Sequence, residues 1–72
     1  MLHGDRVKFL REMEEVSQVE LAKRIGRKQA DVSRIERGEH KAVTVETLLK
    51  ISAAFGGGYV NFLLGADYGE EL

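Results

Sequence analysis

The sequence predicts an all-α chain of five short helices. Apolar residues recur at three- and four-residue spacing in every segment long enough to judge. No run of Val, Ile, Thr and aromatic residues alternates with period two, and no Asn-Gly or Asp-Gly pair offers a hairpin turn. Boundaries of helical type fall between the apolar runs. Ser17 and Thr44 stand at their starts, and Gly26, Gly38 and Gly56 to Gly58 at their ends.

The first helix is expected over about residues 4–15, with Val7 and Leu10 facing inward and Phe9 or Met13 beside them. In "VSQVEL", residues 16–21, Ser17 can accept from the first free amides and Glu20, three residues on, can complete a capping box; Val16 and Leu21 have the spacing of a hydrophobic staple. A second helix therefore starts here and stops near Gly26, which can adopt the left-handed conformation. The third helix occupies about residues 28–37 with Val32 and Ile35 inward and Gly38 as its terminator. Lys28 is a poor cap, and Asp31 complements the helix dipole from the first turn. "VTVETLL" repeats the staple, with Thr44 as cap and Val43 spaced to meet Leu48, so a fourth helix runs to about Phe55. The last helix covers about residues 59–64, and the acidic tail 66–72 is expected to fray.

Length and composition narrow the functions available. A chain of 72 residues suits one domain, residues 1–72, and such a domain buries only about 60% of the surface its unfolded chain exposes. The absence of cysteine excludes a disulfide framework and thiolate metal sites. No apolar run approaches the roughly 20 residues that span a bilayer, and the N-terminus lacks a signal-peptide core, which leads to an expected cytoplasmic location without membrane contact. The net charge of −1 hides a segregated distribution. Residues 17–41 hold Lys23, Arg24, Arg27, Lys28, Arg34, Arg37 and Lys41 against Glu20, Asp31, Glu36 and Glu39, a net of +3. Charge alone fits a solvated mixed surface as well as a polyanion-binding one.

Enzyme chemistry finds no support in the residues. His3 and His40 have no partner at metal-ligand spacing, and neither Ser17 nor Ser33 forms a nucleophile-base arrangement. The triple glycine follows no strand and precedes no Lys-Ser or Lys-Thr pair, so it is a helix connection and not a phosphate loop. No cofactor or metal is expected.

Helix, glycine-containing turn and helix over about residues 17–37 form a helix-turn-helix pattern. Leu21, Ala22, Ile25, Gly26, Val32 and Ile35 each have a physical reason: small Ala22 lets the helices approach, Gly26 makes the turn, and the larger apolar residues fill the wedge. With "LRE", "SQVELAKRIG", "VSRIERG", "TVETLLKISAAFG" and "FLLG" in that order, the chain resembles the phage-repressor and Cro-type helix-turn-helix regulators, the XRE family, over about residues 4–65. The resemblance implies a compact five-helix, lambda-repressor-like DNA-binding domain whose third helix enters the major groove while the second crosses the backbone.

On that reading the face of the third helix opposite Val32 and Ile35 meets base edges, and Gln29, Ala30, Ser33 and Arg34 are the readout candidates. Gln can pair with adenine, Arg with guanine, and Ala can touch the thymine methyl; Ser33 can serve a base or a phosphate. Similarity to the family puts Gln29 and Arg34 first. Gln18 matches a phosphate-contacting glutamine of the family, and Lys28, Arg37, His40 and Lys41 are further phosphate candidates. Arg11 and Glu36 match a structural ion pair.

Several residues depart from the family pattern. Arg27 stands at a usually apolar turn position and Lys28 at a usual cap; both add charge at the groove-facing end. Glu15 stands where a glycine is common. Asp31 near the recognition surface would repel phosphate and can cap its own helix or accept from a cytosine amine. Apolar Val60 replaces a frequent acid and Leu64 adds area; with Tyr59 they suggest a homodimer through the last helix, binding a palindromic operator with recognition helices about 34 Å apart. A transcriptional repressor is the leading function. A restriction-modification controller or activator would share these features, and an antitoxin-like module binding another protein is the rival from a different class.

Overall fold

In a computed structural model, five α-helices follow one another along the chain: α1 Gly4–Met13, α2 Gln18–Ile25, α3 Gln29–Arg37, α4 Val45–Ala54 and α5 Val60–Leu63. The structure describes residues 2–39 and 43–65, and among these there is no strand. The expected frayed tail lies outside the described residues.

Helix α1 ends two residues earlier than the spacing suggested because the backbone turns at Glu15, which takes φ 56°. The Val16 amide then donates back to the Arg11 carbonyl at 2.9 Å. Ser17 caps α2 by accepting from the Glu20 amide at 3.0 Å. The reciprocal half of the expected box is absent among the described residues, since the Glu20 carboxylate takes Arg24 one turn on at 3.2 Å. Val16 and Leu21 are both buried, as a staple requires. Gly26 closes α2 at φ 71°, a conformation that costs an L side chain about 1–2 kcal/mol, and the Arg27 amide reaches back to the Ala22 carbonyl at 2.8 Å. Thr44 caps α4 through the Thr47 amide at 3.1 Å.

The core gathers one stripe from each helix: Val7 and Leu10, Leu21, Ala22 and Ile25, Val32 and Ile35, Leu48, Ile51 and Phe55, and Leu63. Helix α1 packs on α3, and α2 packs on both α3 and α4. Gly4 lets α1 approach so closely that a Cβ there would lie 2.0 Å from the Ile35 carbonyl oxygen. Chain start and α5 are joined by the His3 amide donating to the Leu63 carbonyl at 2.8 Å and Arg6 Nη1 donating to the Phe62 carbonyl at 3.0 Å.

One core expectation is corrected. Phe9 and Met13 are 52% and 62% exposed. Phe9 lies about 160° round the helix from Val7 at 3.6 residues per turn, and the helix stops at Met13 before that residue can rejoin the buried stripe. The Phe9 ring rests instead against Phe62, with centroids 5.9 Å apart.

Candidate nucleic-acid interface

Two short helices meeting at Gly26 define the site. Val32 and Ile35 anchor α3 by burial at 1% and 5% exposure, which turns the rest of the helix outward. Gln29, Ala30 and Arg34 are exposed and Ser33 is half-covered, so the four residues share the outer surface of one helix. Lys28 and Arg37 stand exposed at its two ends. His40 and Lys41 lie outside the described residues.

Beneath this surface runs a directed chain of hydrogen bonds. Arg11 forks onto Glu36, with Nε to Oε2 at 2.7 Å and Nη2 to Oε1 at 3.1 Å. The pair is largely covered, with side chains 13% and 4% exposed. Arg11 Nη1 also donates to the Val16 carbonyl at 3.0 Å, so one guanidinium braces the α1–α2 turn against α3. Donation to the Glu36 carboxylate is the main reason the Arg11 guanidinium is held above its ordinary pKa, while burial opposes it. Gln18 Nε2 donates to the same Glu36 Oε1 at 3.0 Å, and Gln18 Oε1 accepts from Gln29 Nε2 at 3.1 Å. Since a carboxylate can only accept, Gln18 must turn its amide nitrogen inward and its oxygen toward Gln29. Gln29 is left with its carbonyl oxygen and one N–H for a ligand.

The cations of α3 are not bare. Arg34 Nη1 donates to Asp31 Oδ1 at 3.0 Å. Arg37 forks onto Glu39 at 3.0 and 3.1 Å and also contacts the Ser33 hydroxyl through Nη1. The hydrogen bond from Arg37 holds the Glu39 carboxyl below its ordinary value and, reciprocally, raises Arg37. Sequence reasoning missed both the Arg37–Glu39 and Arg37–Ser33 contacts. Residue 39 lies beyond the Gly38 turn, where helical spacing has no force, whereas Ser33 and Arg37 stand at i and i+4.

Arg27 is a correction. Its Nη2 donates to Thr47 Oγ1 at 3.0 Å, a hydroxyl on a residue only 5% exposed. Turn geometry thus directs this arginine toward α4, where it satisfies a buried acceptor, and not toward the outer face of α3. Arg24 acts similarly, with Nη1 donating to the Ala54 carbonyl at the end of α4 at 3.0 Å. The missing cap at Lys28 is partly supplied by Asp31, whose Oδ2 faces the Lys28 amide at a long 3.4 Å.

These elements define a helix-turn-helix protein, and the chain belongs to the Helix-turn-helix family, whose match covers residues 7–59. Among solved structures it is similar to the P22 c2 repressor in complex with a synthetic operator, at 30% identity over 93% of this chain and 98% of that one, with a TM-score of 0.79. It is similar to SinR, the master regulator for biofilm formation, in complex with DNA, at 33% identity over 85% and 95% of the two chains, TM-score 0.76. A third similar structure is a SinR–SinI protein complex, at 32% identity over 100% and 67%, TM-score 0.78. Comparison with curated proteins finds no significant match.

Proposed function

We propose that the chain is a sequence-specific double-stranded DNA-binding transcriptional regulator that reads the major groove with α3, most simply as a repressor occupying an operator. The observation that carries this is the outer face of α3: an unburied row of Gln29, Ala30, Ser33 and Arg34 on a helix locked to its domain by Val32 and Ile35. The similarity to a repressor in complex with an operator and to a regulator in complex with DNA supports the same reading.

Recognition follows from the groups left unsatisfied. The Gln29 oxygen and remaining N–H match the N6 donor and N7 acceptor of adenine, and Arg34 matches guanine O6 and N7. Gln18, Lys28 and Arg37 contact phosphates and set register without reading sequence; His40 and Lys41, just after α3, belong to the same proposed set. Arg37 must release Glu39 to do so, an exchange of one carboxylate for a phosphate.

A homodimer supplies the second half-site of a palindrome. Tyr59 and Val60 are half-covered and Leu64 is 40% exposed. Beside them a groove of about 270 Å³ is lined by Phe9, Leu10, Met13, Tyr59 and Phe62 together with Gly58 and Glu14, which extends a mainly apolar surface from α5 onto α1.

Selection of binding sites from random duplexes near physiological salt tests the function. A palindromic consensus is expected, and Gln29→Ala and Arg34→Ala should each relax it at one base pair by about 1–3 kcal/mol. Salt-sensitive binding with no enriched sequence would defeat the proposal.

A further inference from the structure

The recognition helix carries an acid on the surface proposed to face a polyanion, and the long contact of Asp31 with the Lys28 amide does not by itself account for its pairing with Arg34. A carboxylate close to phosphates opposes every encounter with DNA. The structure holds it between two groups, with Oδ1 accepting from Arg34 Nη1 at 3.0 Å and Oδ2 facing the Lys28 amide at 3.4 Å. The Asp31 side chain is 34% exposed and that of Arg34 is 53% exposed. The short, more covered carboxylate is therefore the fixed member, and the long guanidinium is the one being held.

We propose that Asp31 is a positioning residue that orients Arg34 for a base edge, an assignment that rests on the reading of Arg34 as a guanine contact. An arginine reads guanine with two parallel N–H groups aimed at O6 and N7. Its five N–H groups lie in one plane. Engagement of Nη1 by Asp31 leaves Nε and Nη2 available, the same edge that Arg11 and Arg37 present to their carboxylates. The Asp31 contact also restricts the orientations that this edge samples. Part of the rotamer freedom that a long cationic side chain loses on binding is thus lost already on folding. Where no guanine is present, the acid only repels phosphate. One residue therefore strengthens discrimination by orienting the specific contact, while its charge weakens binding to every duplex alike.

The test uses the 72-residue chain and its Asp31→Ala, Asp31→Asn and Arg34→Ala variants. Each is titrated with a selected operator, the operator changed one base pair at a time, and a scrambled duplex, with melting curves confirming that each variant is folded. Arg34→Ala and Asp31→Ala should relax preference at the same base pair, Asp31→Ala by roughly three- to tenfold. Both Asp31 variants should bind the scrambled duplex more tightly than the parent. Asp31→Asn, which keeps an acceptor oxygen without the charge, should retain more of the preference than Asp31→Ala. An equal gain for operator and scrambled duplex with preferences intact would make Asp31 a charge and nothing more, overturning the assignment. Loss of preference at a base pair other than Arg34's would make it a reader in its own right and overturn it equally. If Arg34→Ala leaves every preference intact, the guanine contact itself fails and the assignment falls with it, a result told apart from the others by that variant alone.

Discussion

Glu15 carries a side chain where the backbone favours glycine, and Gly4 is a glycine required by packing and not by its backbone angles. Glu15 holds φ 56° with a side chain, a conformation that costs about 1–2 kcal/mol in an L residue, whereas glycine there loses about 0.5–1 kcal/mol of chain entropy. Glu15→Gly should therefore raise stability by roughly 0.5–1 kcal/mol, read as a higher urea midpoint with an unchanged slope. Gly4 occupies a helical position where no positive φ requires it, yet a Cβ would strike the Ile35 carbonyl at 2.0 Å. Backbone cannot swing aside as a side chain does, so Gly4→Ala should separate α1 from α3 and lower stability by about 1–3 kcal/mol. A melting temperature equal to the parent's would show that the contact relaxes freely.

Among the elements, α1, α2 and α3 meet at Glu36. Its carboxylate receives Arg11 from α1 and Gln18 from α2 while its own backbone belongs to α3. Removing one partner of a covered ion pair strands the other, so Glu36→Ala should lower stability by about 3 kcal/mol. The variant also frees Gln18 to rotate, and with it Gln29, so selectivity at the base pair read by Gln29 should relax at temperatures where the protein stays folded. Unchanged thermal stability would show that the pair contributes nothing beyond its geometry. The capped starts of α2 and α4 are local, by contrast, each resting on one hydroxyl and one amide.

At the scale of the whole molecule, the exposed apolar groove joins α1 to α5, where Phe9 and Met13 line it with Tyr59 and Phe62 and Arg6 lies over the Phe62 ring at 4.7 Å, whereas the readout candidates stand on α3. An exposed apolar patch on so small a domain favours association, and pairing there leaves α3 open to DNA. Sedimentation at micromolar concentration should give a dimer free or on operator DNA, and Met13→Glu should shift it toward monomer. A monomer under both conditions would remove the proposed interface.

What the sequence by itself determined was local: Ser17 and Thr44 as caps, Gly26 and Gly38 as left-handed terminators, and the buried spacing of Val7, Leu10, Leu21, Ile25, Val32 and Ile35. These depend on residues three or four apart, the range over which helical period and capping act. The resemblance to repressors placed Arg11 opposite Glu36 across 25 residues, which periodicity alone cannot do. Only the tertiary structure decided that Arg27 turns to Thr47, that Phe9 and Met13 stay outside, and that Gln18 links Glu36 to Gln29. Long polar side chains have several partners within reach, and which one they take is set by how α1, α3 and α4 pack around the turn.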